Sequence, residues 1–215
     1  MQLLIWGVYL AGALVTRYFF GREGALVYAA LVGLVIAVFR KPLTIALTHA
    51  ASKLGLMKAT IDKLPVSIDL ARAASMDEAA KPIAAQLAAA GFEDAGAWDI
   101  PPLPKIKLAL MVHRGERFLA AIETAAPIGA QVNIHTLYDD GGVVSFTNSV
   151  LPAPPALPEG LSLTRMPGVT PTTLLAAARS GRRHGGMIMP TVEDAPRIYE
   201  QLYARITRSR KAHGK

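Results

Sequence analysis

Two charge-free apolar runs stand at the start of the chain. The first covers residues 1–16 and the second covers residues 24–39, with a short connection between them. A membrane-spanning helix needs roughly 20 apolar residues to cross a hydrocarbon core of about 30 Å, and arginine or lysine at its ends can reach toward the headgroups. The pattern therefore predicts a transmembrane helical hairpin over residues 1–41.

Two other interpretations of these runs fit less well. A secretory signal peptide begins with positive charge, which residues 1–4 lack, and is not followed at once by a second apolar run. A buried hairpin of a soluble protein needs burial on every side, because the second run shows no polar face. We therefore expect an integral membrane protein.

One face of the second predicted span is lined by small residues at every fourth position. Small residues at this spacing let another helix approach closely. We expect the first span to pack here, and a second copy of the chain is the alternative. The residues of this face are Ala25, Ala29, Gly33 and Ala37.

The orientation of the hairpin follows from the Lys and Arg residues beside the spans. The connection holds Arg17 and Arg22, whereas four basic residues lie within residues 40–59, beginning with Arg40 and Lys41. Positive residues favour the cytoplasmic side of a membrane. We therefore expect both termini in the cytoplasm and the protein in the cytoplasmic membrane.

Residues 42–74 are predicted as a juxtamembrane segment. Pro42 suits the first turn of a helix, and apolar residues recur at helical spacing from Leu43 to Met57 beside a polar face. Such a helix lies either in the membrane interface or against the soluble domain, and the sequence leaves both open. The remainder of the segment is expected to be a connector.

Residues 75–208 combine helical and strand-like patterns and are predicted as one soluble domain. An alanine-rich helix between Ser75 and Gly91 opens with a capping-box pattern, because a glutamate follows Ser75 by three residues. Pro82 is tolerated in the first turn of a helix but not in its interior. The regular part of the helix is therefore expected from about Lys81.

Four strand-like runs follow this helix. A turn rich in glycine, Asp139–Gly142, joins the last two runs, and its glycines can adopt the positive φ of a tight hairpin. Short strands joined by tight turns form an antiparallel meander, and Trp98 with Ile100 is expected to add an edge strand. The four runs are Ile106–Val112, Phe118–Thr124, Gln131–Tyr138 and Val143–Val150.

A proline-rich segment, residues 151–160, separates these runs from two final helices. An extended crossing over the sheet is the preferred interpretation, and a ligand for a proline-recognising groove is the alternative. Thr170 and Gly181 bound the first of the two helices, and Thr191 begins the second. The whole pattern predicts an α+β domain in which helices pack on one face of an antiparallel meander of four or five strands.

The positive charge of the chain is confined to its C-terminal part. The 215 residues carry a net charge of +7, but basic and acidic residues balance over residues 1–160, so the excess lies in residues 161–215. The chain contains no cysteine. This excludes disulfide scaffolds, cysteine-ligated zinc, iron–sulfur clusters and thiol catalysis.

Motifs that carry a known chemistry are absent from the sequence. It contains no phosphate-binding loop, dinucleotide fingerprint, metalloprotease helix, nucleophile elbow or EF-hand loop. His113 and His135 lack a third metal ligand, so neither a metal nor a cofactor is expected. His135 with Gln131, Asn133 and Asn148 is expected to form a polar sheet surface that meets water.

The best candidate site is a basic loop that contains several glycines and follows the first of the two final helices. Arginine binds phosphate and carboxylate through paired hydrogen bonds, and glycine lets backbone N–H groups approach an anion. The loop suggests an anion-binding site, although a solvated basic loop at a helix C-terminus is the simpler interpretation. Its basic residues are Arg179, Arg182, Arg183 and His184.

The chain ends in a basic tail, residues 209–215. Anionic lipid is the expected partner of basic residues on a chain tethered to a membrane. A solvated tail is the simplest alternative, and nucleic acid is a less economical one. The residues assigned to the membrane surface are Arg40, Lys41, Arg205, Arg208, Arg210 and Lys211.

These features favour a membrane-anchored, non-enzymatic protein whose cytoplasmic α+β domain binds a partner protein or a small ligand. The first alternative is a membrane-bound enzyme that acts on an anionic substrate through Arg182, Arg183 and His184. The second is a subunit of a larger membrane complex, which the small residues of the second predicted span support.

Overall fold

A computed structural model describes residues 64–125, 129–150 and 157–213 of the chain. The predicted transmembrane hairpin precedes these ranges, as do its small-residue face, the juxtamembrane helix, and the basic pair Arg40 and Lys41. No helix within the described ranges is both long and apolar enough to cross a membrane. The predicted spans lie outside the described residues and stay predictions.

A seven-stranded sheet forms the centre of the domain, and its strands lie side by side in sequence order. Each strand runs antiparallel to the next, except that β6 and β7 are parallel. The strands are β1 (Ala71–Arg72), β2 (Glu93–Asp99), β3 (Ile106–His113), β4 (Phe118–Ala125), β5 (Gly129–Leu137), β6 (Val143–Thr147) and β7 (Leu161–Arg165).

The predicted α+β architecture is confirmed, but the sheet is larger than the sequence predicts. The pattern misses β7, because this strand has only five residues and follows the proline-rich segment. Trp98 lies in β2 rather than in an edge strand, since Arg72 of β1 pairs with Trp98 on the outer side of β2. The predicted β5–β6 hairpin forms, with Gly141 at a φ of 77°.

Helix α1 (Lys81–Ala89) begins where Pro82 predicts, with that proline in its first turn. The predicted capping box does not form. Ala80 precedes the helix and provides no side-chain cap, and the Glu78 carboxylate instead pairs with the Lys81 ammonium at 2.6 Å. The helix starts too late for Ser75 to reach its free N–H groups.

Helices α2 (Pro171–Ser180) and α3 (Ala195–His213) begin just after the predicted threonines. Thr170 Oγ1 accepts a hydrogen bond of 3.2 Å from a backbone N–H of the first turn of α2. Thr191 Oγ1 accepts one of 3.1 Å from the N–H of Asp194. Such caps satisfy N–H groups that the first turn of a helix leaves free. Residues predicted as a basic tail continue α3 to its end.

Helices cover both faces of the sheet, whereas the sequence pattern predicts helices on one face. Helices α1 and α2 pack on one face against Ile122 and Ile134, and α3 packs on the other against Leu110 and Leu119. The reason lies in β3 and β4, whose central residues are buried on both faces. Because α2 and α3 lie on opposite faces, the segment between them passes round one end of the sheet.

Candidate functional site

The basic residues of the predicted anion-binding loop lie at one end of the sheet, which we call the hairpin end. It comprises the β3–β4 turn (residues 114–117), the β5–β6 turn (residues 138–142) and the segment 181–190 that leads from α2 toward α3. The N–H of Asp139 donates a 3.0 Å hydrogen bond to the carbonyl of Gly186. Backbone hydrogen bonds therefore fix this segment across the turns.

The carboxylate of Glu116 binds two arginines of the predicted loop. Arg179 donates from Nε to Oε2 at 2.8 Å and from Nη2 to Oε1 at 2.5 Å, so the two side chains form a bidentate pair. Arg182 donates from Nη2 to Oε2 at 3.1 Å, and its guanidinium lies 4.3 Å from the centre of the Phe118 ring. The β3–β4 turn is thereby joined to the end of α2.

The electrostatics of this cluster favour the ionised carboxylate. The hydrogen bond from Arg179 is the largest cause that lowers the pKa of Glu116 below its usual value, and burial opposes it. His113 adds a contact of 3.3 Å between Nε2 and Glu116 Oε1. His113 Nδ1 accepts a hydrogen bond from the Glu116 N–H, which leaves Nε2 as the ring nitrogen that donates to the carboxylate.

Arg183 makes a second ion pair at the hairpin end, with Asp140 of the β5–β6 turn. Its guanidinium also lies 4.1 Å from the centre of the Tyr138 ring, and its backbone N–H donates to the Tyr138 hydroxyl at 2.9 Å. The hydrogen bond from Arg183 is the main cause that lowers the pKa of Asp140. The charge of Arg183 is thus matched within the domain.

The glycines of the loop provide space for side chains of the sheet. A Cβ atom on Gly181 would collide with the ring of Phe146, and one on Gly186 would collide with the carboxylate of Asp139. The sequence suggests that these glycines expose backbone N–H groups to an anion. The structure shows instead that they allow the loop to lie close against the strands beneath it.

The structure therefore places the four predicted anion-binding residues at one end of the sheet but in different roles. Arg179, Arg182 and Arg183 bind carboxylates of the two hairpin turns, while His184 is exposed. Sequence reasoning missed Glu116 as the partner. No spacing signal connects it with Arg179, because 63 residues separate the two.

Two adjacent apolar side chains are exposed on the same segment. Ile188 is 44% exposed and Met189 is 55% exposed, and Val66 is the other large apolar side chain exposed in the described part of the chain. The backbone beside them is fixed, since the N–H of Ile188 donates to the Leu137 carbonyl at 2.9 Å. Met187 also forms a β-bridge with Tyr138. The apolar pair is therefore presented by an ordered segment.

Arg117 lies beside this apolar pair. Its Nη1 donates a 3.0 Å hydrogen bond to the carbonyl of Met187, and its side chain is exposed. Arg117 has a φ of 59°, and among the described residues no other residue except glycine has a positive φ. The turn thus holds a charged side chain in a backbone conformation that glycine ordinarily occupies.

The predicted polar sheet surface lies in part beneath α3 instead of meeting water, whereas the amide of Asn148 bonds to the backbone of Val132 and Val169. Glu123 of β4 accepts hydrogen bonds from Gln131 at 2.9 Å and from Asn133 at 3.0 Å. The Tyr199 hydroxyl of α3 donates to the same carboxylate at 2.9 Å. Burial is the largest cause that raises the pKa of Tyr199, so this hydroxyl stays a donor. Glu123 thereby joins the sheet to α3.

His135 is buried on the same face. Its Nδ1 lies 2.8 Å from the hydroxyl of Ser145 on β6, and burial lowers the pKa of His135 to about 4. The ring is therefore neutral near pH 7. It serves as an interior hydrogen-bonding group on this face of the sheet.

The residues assigned to the membrane surface differ in their surroundings. Arg205 donates to the Gly141 carbonyl at 2.6 Å and to the Glu159 carbonyl. Burial lowers the pKa of Arg210, whereas Arg208 is exposed and Lys211 is half-buried. Arg205 is thus bound to neighbouring loops and Arg210 is half-buried, and contact of Arg208 and Lys211 with lipid stays a prediction.

Two cavities lie away from the predicted loop. An open groove of about 570 Å³ runs along α3 between Pro158 and Arg208. A small cavity lies beside Ala80 and Thr124. The arginines of the loop line neither of them. Across residues 64–125, 129–150 and 157–213, no three His, Asp or Glu side chains come together as a metal site would require.

Comparison with known proteins identifies no relative of this chain. No family model, no curated protein and no solved structure matches this chain. The chemistry of the hairpin end is therefore the guide to its function. It offers an ordered apolar pair, an exposed guanidinium beside it, and a set of ion pairs that hold the turns together.

Proposed function

We propose that this chain is a membrane-anchored, non-enzymatic protein whose cytoplasmic α+β domain binds a partner protein. The observation that supports the proposal is the exposed apolar pair Ile188 and Met189 on a hydrogen-bonded segment. Exposed apolar patches with a polar rim mark sites that another protein covers, and this pair would form the centre of such a patch. The hairpin end is therefore the proposed contact surface.

The magnitude of the burial supports a specific contact. Full burial of an isoleucine or methionine side chain contributes about 1.5–3 kcal/mol. Because Ile188 is 44% exposed and Met189 is 55% exposed, covering what remains contributes about 1 kcal/mol each. Because backbone hydrogen bonds already fix the segment, little further conformational entropy is lost on binding. A few residues near the centre of an interface contribute most of its binding energy, and Ile188 and Met189 are the proposed residues here.

The membrane anchor in the proposal depends on the two apolar runs within residues 1–41. A hairpin of this kind keeps the domain beside the inner face of the membrane. Partners that lie in or on that membrane then meet it at a raised effective concentration. A role as a subunit of a larger membrane complex is one form of the same proposal.

The enzymatic alternative assigns the binding of an anionic substrate to Arg182, Arg183 and His184. An anionic substrate would have to compete with Glu116 for Arg182 and with Asp140 for Arg183. The geometry of these two ion pairs gives an anionic substrate no advantage over the carboxylates of Glu116 and Asp140. We therefore retain binding as the proposed function.

The test compares a double variant, Ile188→Ser with Met189→Ser, with the control variant Val66→Ser. The full chain is purified from detergent extracts of its own cells. We expect a stoichiometric partner to accompany the wild-type protein and the control, and to fall at least tenfold in the double variant. Equal recovery of the partner with all three proteins would contradict the proposed surface.

The membrane anchor is tested by a separate experiment. Membranes that contain the full chain are washed with alkaline carbonate, which strips peripheral proteins. We expect the chain to stay in the pellet. Release into the supernatant would contradict the anchor and leave the contact surface unaffected.

A further inference from the structure

Four arginines lie at the hairpin end and Arg179 of α2 binds to it; four of these five arginines have carboxylate partners among the described residues. Arg114 pairs with Glu93 at 3.2 Å, and the ion pairs of three others are described above. Arg117 makes no ion pair with any residue in the described part of the chain. The five are Arg114, Arg117, Arg179, Arg182 and Arg183.

The guanidinium of Arg117 is positioned without being neutralised. Its Nη1 is held by the carbonyl of Met187, directly before Ile188 in the chain. The other N–H groups of Arg117 have no partner within the described ranges. Arg117 is therefore a fixed cation, without a carboxylate partner in the described part of the chain, bound to the segment that carries the exposed apolar pair.

The backbone conformation of Arg117 indicates a functional role for its side chain. A left-handed conformation costs a residue other than glycine about 1 kcal/mol, and Arg117 adopts it with a φ of 59°. Glycine would relieve that cost but would remove the cation. Strained backbone conformations cluster at active sites, ligand clamps and switch regions.

We propose that the hairpin end binds a segment of the partner protein in which a carboxylate adjoins an apolar side chain. The apolar side chain covers Ile188 and Met189, and the carboxylate accepts hydrogen bonds from Arg117. Charged hydrogen bonds between arginine and carboxylate are the stronger kind and depend on orientation. This inference rests on the proposed function and specifies the chemistry of its partner.

The test selects peptides from a random dodecapeptide library on the immobilised full chain in detergent. We expect the selected peptides to carry Asp or Glu within two residues of a large apolar side chain. Their dissociation constants are expected to rise about tenfold with Arg117→Gln and far less with Arg117→Lys. The control Lys105→Gln removes an exposed positive charge away from the hairpin end and is expected to leave binding unchanged. Thermal unfolding verifies that each variant folds.

The possible outcomes separate this inference from the proposed function. If the serine double variant weakens peptide binding and Arg117→Gln does not, the inference is wrong and the apolar contact surface stands. If neither weakens binding, or if no peptide is selected, both are contradicted. Binding that depends on Arg117 but occurs only with phosphatidylserine vesicles would overturn the inference in favour of a lipid surface.

Discussion

Glu116 is the residue on which the ion pairs at the end of α2 depend. It binds Arg179 and Arg182 and contacts His113, while its side chain is only 24% exposed. Partial burial reduces the screening that makes most surface ion pairs weak. Loss of its charge would leave two guanidinium groups at the same place without a counterion.

We therefore predict that Glu116→Gln lowers the free energy of unfolding by about 1–2 kcal/mol. For a chain of this size this corresponds to a fall in Tm of about 2–8 °C. The measurement is thermal unfolding of the detergent-solubilised full chain. The control Glu78→Gln breaks an exposed pair with Lys81 and should change Tm by less than 2 °C or so. Equal shifts for both variants would contradict a special role for Glu116.

At the scale of elements, the segment between α2 and α3 owes its path to close packing. Gly181 directly follows α2 and has a negative φ of −90°, so any residue fits its backbone. What excludes a side chain there is the ring of Phe146. The absence of a side chain at Gly181 thus allows the chain to pass close to β6 where it leaves α2.

We predict that Gly181→Ala destabilises the protein by about 1–3 kcal/mol, the usual cost of overpacking. Gly115→Ala is the matched control, because its added Cβ would meet only an ordinary contact with His113. Gly181→Ala is expected to cost less in a chain that already carries Phe146→Leu. Thermal unfolding of both single variants, the double variant and the control provides the measurement, and an equal cost of Gly181→Ala with and without Phe146→Leu would exclude the Phe146 ring as the cause.

The predictable elements are those whose signals are local. The β5–β6 hairpin follows from the sequence of its own turn, and the start of α2 follows from Thr170 and the proline after it. The partners of Arg179 and Arg183 could not be predicted, since their carboxylates come from other turns of the sheet. The sequence also does not predict that α3 packs over Gln131 and Asn133, because the helix reaches them only through the tertiary fold.

At the scale of the whole molecule, stability depends on pH through groups that the fold perturbs in both directions. The pKa of buried His135 falls from 6.5 to about 4, so between these values the unfolded chain binds more protons than the folded one. Stability therefore decreases as the pH falls through this window. The pKa values of Glu116 and Asp140 are also lowered, which adds a further loss below about pH 4.5.

We predict that Tm falls between pH 6.5 and pH 4, with a loss of up to about 3 kcal/mol from His135 alone. His135→Asn keeps a polar group beside Ser145 and removes the titration. It should flatten the profile in that window and leave the decrease at lower pH in place. The measurement is Tm against pH for the two proteins, and parallel profiles would contradict the assignment to His135.

The sequence order of the strands has a consequence for synthesis on the ribosome. Each new strand from β2 to β7 can add to the one just before it, so the sheet can grow while the chain is still emerging. The cover of one face arrives last, with α3. Until then Leu110 and Leu119 lack the packing that α3 provides on that face, and a nascent chain halted before α3 should therefore be a chaperone client.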